Sequence, residues 1–115
     1  MTEPLFNYKD FENKKYGPCR LIEFQIPGGI TTPEEFAGAV RDEGERLYPP
    51  GKGVIISGRG PVWGYAMIVH AAHPARWIAT VDPRLGAVVV QSHVPEMRAG
   101  DVIPLSEIDG EIRIS

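Results

Sequence analysis

The chain has 115 residues, of which 43% are hydrophobic and 23% charged, and its formal net charge is −3. This length fits one domain, and the composition is that of a globular protein with a packed core. The negative net charge offers no general attraction for long DNA, so a nucleic-acid ligand is expected to be small and held by local geometry. We expect a single domain over residues 1–115, in which residues 1–18 supply a possible edge strand and a loop.

The cysteine content and the hydrophobic runs favour a cytoplasmic protein. Cys19 is the only cysteine, so one chain cannot build a disulfide framework or a cysteine zinc cluster. No charged start is followed by an apolar stretch, and the longest unbroken apolar run, Tyr65–Val69, is far too short to span a membrane. We therefore expect a soluble cytoplasmic protein that makes no membrane contact.

The first half of the chain predicts two strands and a helix. Leu5–Tyr8 is a candidate edge strand. Apolar residues alternate with polar ones over Arg20–Ile26, which is the period of a half-buried strand. Thr32 is a good N-cap for the helix that follows, and Glu35 completes a capping box.

The second half predicts a buried core. Val54–Ile56 is apolar throughout, as in a strand that is covered on both faces. Residues 61–72 form an almost wholly apolar helix, which we expect to be buried, and Trp77–Val81 is another buried strand. A tight turn at 82–86 then leads into Ala87–Gln91, a strand that should return antiparallel. Two shorter strand candidates follow at Asp101–Leu105 and Glu111–Ile114.

Strand and helix alternate from residue 20 to residue 81, which is typical of α/β proteins with a parallel core. The short turn at 82–86 adds an antiparallel strand, so the sheet is expected to be mixed. The sequence therefore predicts an α/β fold, namely a single minimal Rossmann-like domain with a mixed sheet and two main helices.

The segment Ser57–Pro61 joins a buried strand to a helix. Gly58 and Gly60 allow a tight bend and a close approach of a ligand, and the helix N-terminus offers N–H groups and a partial positive charge. Arg59 can add charge-assisted hydrogen bonds and Ser57 a hydroxyl group. We expect this turn to bind a phosphate group of a nucleotide. The dinucleotide fingerprint is incomplete, and the alternative is a tight connection with an incidental arginine.

Three histidines, an aspartate and a second arginine are further candidates. His70 has apolar sequence neighbours and is expected to pack in the core, whereas His73 lies at the helix exit and suits metal binding or acid–base chemistry. His93 is as readily a solvated loop residue as a functional one. Asp82 has a structural explanation too, since Asp-Pro commonly starts a turn. Arg84 is not needed for that turn, so we expect it to contact a ligand.

Strand lengths divide these candidates between the two ends of the domain. A strand and its turn span roughly 20 Å, so residues at opposite ends cannot contact one small ligand. A site that used both ends would have to form between subunits that meet with opposite ends together. We name one end the phosphate pole, with Ser57, Arg59, Asp82 and Arg84, and the other the histidine pole, with His73 and His93.

The segments Gly53–Trp63 and Asp82–His93, with His70 and His73 between them, resemble the small stand-alone class of CRISPR-associated ring nucleases. The similarity is strong over residues 53–93 and weaker over about 20–104. It implies a fold related to the CRISPR-associated Rossmann (CARF) domain, which senses cyclic oligoadenylates. One departure is Pro74, because it leaves His73 without an adjacent second histidine.

The resemblance also implies an activity. Members form homodimers that stack head to tail around cyclic tetra-adenylate and cleave it, with Mn²⁺, to short linear adenylates, which switches off type III CRISPR signalling. Two alternatives stay open: a module that binds the ring without cleaving it, and a Mn²⁺-dependent RNA exonuclease that acts on poly(A) tails. Carried over by motif, the ring-binding residues are Ser57, Arg59 and Arg84, beside the turn glycines Gly58 and Gly60, and the residues for metal-dependent chemistry are His73, Asp82 and His93. A carboxylate and an imidazole suit manganese, and Asp82 and His93 can supply one each.

Overall fold

In the computed structural model, which describes residues 3–108, one six-stranded sheet packs beside two α-helices. The strands are β1 (Leu5–Asn13), β2 (Gly17–Gln25), β3 (Gly53–Gly58), β4 (Trp77–Asp82), β5 (Gly86–Ser92) and β6 (Val102–Ile103). The helices are α1 (Pro33–Glu43) and α2 (Val62–Ala71), and short 3-10 segments lie at Pro27–Gly29, Gly44–Leu47 and Leu105–Glu107.

The order of the strands in the sheet is their order in the chain, β1 to β6. The three central strands β2, β3 and β4 are parallel, and β1, β5 and β6 pair antiparallel to their neighbours. The predicted mixed sheet with two main helices is therefore confirmed. The Rossmann-like relationship stays a prediction, since both helices lie on one face of the sheet, whereas a doubly wound sheet is covered on both.

The predicted start of α1 is confirmed in detail. The hydroxyl of Thr32 accepts a hydrogen bond from the Glu35 N–H at 3.1 Å, and the Glu35 carboxylate accepts one from the Thr32 N–H at 3.2 Å. This capping box satisfies two N–H groups that the helix itself cannot pair. The first turn is thereby anchored, and α1 buries Phe36, Ala39 and Val40 against the sheet.

We call the side of the sheet that carries α1 and α2 the helix face. Its core is aromatic near the phosphate pole, where the rings of Phe24 and Phe36 meet edge to face with centroids 5.7 Å apart. The opposite, helix-free face is covered by the segment that follows β5, which packs Met97 and Ile108 over Trp77. The buried residues of the helix face are Ile22, Phe24, Phe36, Val40, Leu47, Val54, Ile56, Ile68, Ala72, Ala75 and Ile78.

Three expectations need correction or extension. The edge strand predicted at Leu5–Tyr8 exists but continues to Asn13. The helix α2 is not wholly buried, because only α1 and the sheet cover it and its outer side faces solvent. The strand candidate Glu111–Ile114 lies outside the described residues. Within residues 3–108, neither helix has the length and apolar character needed to cross a membrane.

Candidate functional site

The turn at the phosphate pole is fixed by Tyr65 of α2. Its hydroxyl accepts a hydrogen bond from the Gly58 N–H at 2.9 Å and donates one to the Gly58 carbonyl at 2.5 Å. Burial raises the pKa of this hydroxyl, so it stays protonated and keeps both roles. The Gly58 N–H is therefore occupied within the fold. The first N–H groups of α2, at Val62 and Trp63, have no carbonyl partner within the helix, so they can bind a ligand.

Ser57 lies just inside this turn and is wholly buried, with 0% of its surface exposed. Among the described residues nothing forms a hydrogen bond with its Oγ. A buried hydroxyl without a partner is costly, so it marks a position where a ligand or water can supply the missing bond. The turn itself ends at Pro61, which is the N-cap of α2.

The two turn glycines have a packing explanation beside the predicted ligand role. A Cβ atom on Gly58 would lie 2.5 Å from the Phe24 carbonyl oxygen, and one on Gly60 would lie 2.6 Å from the Phe24 ring. Side chains cannot fit at either position without moving Phe24. Neither glycine has a positive φ, so the need for glycine arises from this close contact.

Asp82 and Arg84 lie at the same end of the sheet as Ser57, because β3 and β4 are parallel. The Asp82 Oδ1 accepts hydrogen bonds from the Arg84 N–H at 2.8 Å and the Leu85 N–H at 3.1 Å. These bonds lower the pKa of the Asp82 carboxyl group. The structural explanation for Asp82 thus holds for Oδ1, while Oδ2 bonds to none of the described residues. The Arg84 side chain is 88% exposed, and its Nε atom lies 3.8 Å from Asp82 Oδ1. An ion pair this exposed is weak, so it leaves Arg84 able to reach a ligand.

The structure brings His73 and His93 together at the opposite end, with ring centroids 6.4 Å apart. The Nε2 atom of His93 lies 2.9 Å from the His73 carbonyl oxygen, and the Gln91 amide donates to that same oxygen at 2.7 Å. A carbonyl only accepts, so a hydrogen bond at this contact needs the hydrogen on His93 Nε2, and Nδ1 is the ring nitrogen left to face a ligand. Both histidines are exposed, and their imidazoles can face a ligand.

Sequence reasoning assigned no role to Gln91, which helps to hold the histidine pole. Across β4, Ile78 pairs with Gln91 and Ala79 with Val89, so Val90 is an extra residue in β5. Such a β-bulge turns the following side chain and is common beside active sites. No local sequence pattern predicts the bulge at Val90.

The predicted distance between the poles is confirmed. The His93 N–H bonds to the Arg76 carbonyl at 2.9 Å, so His93 lies opposite Arg76, and six residues of strand separate it from Asp82, roughly 20 Å. Asp82 Oδ2 and His93 Nδ1 each suit manganese. Within one chain they cannot share an ion, and residues 3–108 hold no group of three or more His, Cys, Asp or Glu side chains placed to bind one.

The expectation that His70 packs in the core is wrong. His70 is exposed in the last turn of α2. It lines a shallow groove of about 650 Å³ between α2 and β5, the α2–β5 groove. The groove is mainly apolar, with Val62 86% exposed and Val90 42% exposed. Large exposed apolar patches commonly mark interaction surfaces.

A second cavity, the β1–β3 cleft, was missed by sequence reasoning. It has a volume of about 780 Å³ and lies at the phosphate pole on the helix-free face. The pattern that could have revealed it is local to the phosphate pole, where Asn7 and Lys9 of β1 and Glu23 and Gln25 of β2 alternate with aromatic or apolar residues. The side chains along the helix-free face of the cleft are Asn7, Lys9, Glu23, Gln25, Ser57 and Arg59.

These features define a small α/β protein with two chemically distinct ends. Residues 47–104 match the family described as CRISPR-associated protein (Cas_csx3). An uncharacterized protein of Aquifex aeolicus (strain VF5) is 39% identical over 89 residues, which cover 72% of this chain and 75% of that protein. The chain belongs to the Cas_csx3 family of CRISPR-associated proteins. Every candidate site residue predicted from the sequence falls within the matched segment.

Proposed function

We propose that this protein is a manganese-dependent ring nuclease, which binds cyclic tetra-adenylate and cleaves it to short linear adenylates, so that type III CRISPR signalling ends. The family is CRISPR-associated, which supports a role in CRISPR defence. The observation that carries the proposal is the division of the candidate residues between two poles. Each chain offers half of a phosphodiesterase site at each end.

The phosphate pole would hold the ring. Arg59 and Arg84 are two cations beside the start of α2, whose N–H groups and dipole attract phosphate. The Ser57 hydroxyl, which has no hydrogen-bond partner among residues 3–108, would be available for a bond to the ligand. Positioning and neutralising the phosphates is most of what phosphoryl transfer asks of a protein.

The active form would be a homodimer that packs through the α2–β5 groove. This groove runs from Val62 near the phosphate pole to His73 at the histidine pole. A two-fold axis along that direction would place two phosphate poles side by side, which matches the symmetry of a ring of four equal nucleotides. Pairing two copies would also bury the apolar residues of α2 that one chain leaves exposed.

Cleavage would need a second dimer, stacked head to tail so that its histidine pole faces the bound ring. Asp82 of one copy and His93 of another would then hold Mn²⁺. When bound, the metal would stabilise negative phosphate oxygens or activate water. His73 would serve as a general base for a ribose hydroxyl or as an acid for the leaving oxygen. The bonds from Gln91 and His93 to the His73 carbonyl hold this residue in place.

The direct test is incubation of the purified protein with labelled cyclic tetra-adenylate, with and without Mn²⁺. We expect linear products that require the metal and that disappear in His73→Ala and His93→Ala. His93→Ala should still bind the ring, because it changes only the histidine pole. An intact ring after prolonged incubation with the wild-type protein and Mn²⁺ would exclude the activity.

A mixing experiment tests the site between subunits. Arg84→Ala weakens the phosphate pole and His93→Ala the histidine pole, and each variant keeps the other pole intact. If the site forms between stacked dimers, a mixture of the two impaired proteins should recover part of the wild-type rate. If the site lay inside one chain, the mixture should show no recovery of the cleavage rate, because every chain in it carries one of the two substitutions.

The same proteins separate the alternatives. Tight binding of the ring by the wild-type protein without any cleavage would indicate a binding module. Faster turnover of linear poly(A) than of the ring, together with competition by poly(A) for ring binding, would indicate an RNA exonuclease.

A further inference from the structure

The β1–β3 cleft contains a row of polar side chains that the proposed chemistry does not use. In the sheet, Asn7 of β1 pairs with Glu23 of β2, and Glu23 pairs with Ser57 of β3. Paired residues point to the same face, so an amide, a carboxylate and a hydroxyl lie side by side. The row extends over two strand spacings, about 10 Å from β1 to β3. A purine ring with hydrogen bonds at its two edges can bridge this distance.

The cleft is continuous with the phosphate pole. Ser57 belongs both to the row and to the turn, and its Oγ is wholly buried without a partner among the described residues. Arg59 lines the same cavity from the turn. A nucleotide whose phosphate lies at this turn would therefore have its base within reach of the cleft.

The floor of the cleft suits a flat ring. The backbone of Phe24 and Gly58 lies between the polar side chains, because alternate residues of β2 and β3 point to the helix face. Gly58 has no side chain, and Phe24 packs on the other side against Tyr65, with ring centroids 5.1 Å apart. Backbone therefore forms the floor of the cleft beside the row of polar side chains.

The chemistry of the row discriminates between bases. Glu23 is the central member, and a carboxylate accepts hydrogen bonds but cannot donate them when ionised. The Glu23 carboxylate can accept a hydrogen bond from an exocyclic amino group, whereas it has no hydrogen to donate to a carbonyl oxygen. The amides of Asn7 and Gln25 can both donate and accept, as adenine recognition requires.

We infer that the β1–β3 cleft is an adenine subsite, in which Glu23 and Asn7 select the 6-amino group of a base bound beside the phosphate turn. The inference rests on the proposed function and adds to it the part of the molecule that reads the base. Asn7 and Glu23 precede residue 47, so the two residues that would select the base lie outside the segment that matches the family.

The test compares binding of cyclic tetra-adenylate with that of cyclic tetra-inosinate, in which a carbonyl oxygen replaces the 6-amino group, without Mn²⁺. The wild-type protein should bind the adenine ring at least about tenfold more tightly. Glu23→Gln keeps the shape of the side chain and removes its charge. It should therefore reduce the ratio of the two affinities, adenine ring over inosine ring, several-fold. Asn7→Ala should narrow it too, and Glu34→Gln, at an exposed position in α1, should leave it unchanged.

Two results would overturn the inference while the ring nuclease proposal stands. One is equal affinity of the wild-type protein for the two rings. The other is a ratio that neither Glu23→Gln nor Asn7→Ala changes, with both variants folded as judged by thermal unfolding. If the wild-type protein binds neither ring, the adenine subsite falls together with the proposed function.

Discussion

Phe24 determines which residues the phosphate turn can contain. Its ring and its carbonyl oxygen occupy the space where side chains at Gly58 and Gly60 would begin. Its edge-to-face contacts with Phe36 and Tyr65 leave it little freedom to move. The shape of the turn thus depends on one buried aromatic residue, which could not be inferred from the glycines alone.

Replacement of Gly58 by alanine should therefore destabilise the protein. The added Cβ would lie 2.5 Å from the Phe24 carbonyl oxygen, and relief of such overpacking typically costs about 1–3 kcal/mol. The free energy of unfolding, from urea titration followed by circular dichroism, measures the effect. Gly38→Ala is the matched control, because within residues 3–108 its new Cβ would meet only the Arg41 side chain, at 3.9 Å. It should stabilise α1 by up to about 1 kcal/mol, and the same loss in both variants would contradict this account.

At the scale of one element, two adjacent threonines should respond differently when each is replaced by valine. Thr32 caps α1, so Thr32→Val should lower the free energy of unfolding by about 1 kcal/mol. The Thr31 hydroxyl is buried without a hydrogen-bond partner in residues 3–108, so Thr31→Val should be neutral or stabilising. Thermal unfolding of the two variants side by side provides the comparison. Destabilisation by Thr31→Val alone would show that its hydroxyl has a partner in solution.

The strand β1 is tied to its neighbours by charge. The Asp10 carboxylate accepts hydrogen bonds from Arg20 at 2.7 and 3.0 Å and forms an ion pair with Lys52 at 2.8 Å. The hydrogen bonds from Arg20, followed by that from Lys52, hold the pKa of Asp10 well below its usual range. This cluster joins β1, β2 and the loop before β3.

The resulting stability should depend on pH. Because the folded pKa of Asp10 is lowered, its contribution is complete above the unfolded value of about 3.9 and is lost as pH falls below it. Asp10→Asn should destabilise the protein at pH 7 by about 1 kcal/mol, since the pairs are partly exposed. The gap to wild type should shrink between pH 5 and pH 2, as measured by urea unfolding, whereas a pH-independent gap would rule out the ionic origin. Asp42→Asn, at an exposed position in α1, is the control.

Most elements were predictable because their signals are local. The capping box at Thr32, the apolar run at Val54–Ile56 and the Asp-Pro turn each specify structure within a few residues. The separation of the two poles followed from strand length alone. The contact between Gln91 and His73 and the row in the β1–β3 cleft could not be predicted, since both depend on the register between strands, including a bulge at Val90.

At the scale of the whole molecule, the exposed side of α2 disagrees with the burial that the apolar composition of this helix predicts. An apolar helix was expected to be buried by its own chain, yet Val62 is 86% exposed. The proposed homodimer would account for the apolar composition of α2, because a second copy would cover its exposed side.

A charge placed in the α2–β5 groove should separate the proposed dimer. Val62→Glu introduces a carboxylate that a dimer interface would have to bury at high cost. We expect light scattering after size-exclusion chromatography to show a dimer for the wild-type protein and a monomer for the variant. Ile30→Glu, at a residue that is 64% exposed in a loop away from the groove, should stay dimeric. A dimer that survives Val62→Glu would place the interface elsewhere.

The match between strand order and chain order has a consequence for synthesis. Each strand pairs with the strand that precedes it in the chain, so none has to be inserted between two strands that are already paired. Contacts between nearby segments close early and favour fast folding. On the ribosome, where the N-terminal part emerges first, the sheet can grow outward from the β1–β2 hairpin one strand at a time. The histidine pole, which needs both β4 and β5, is then assembled among the last parts of the molecule.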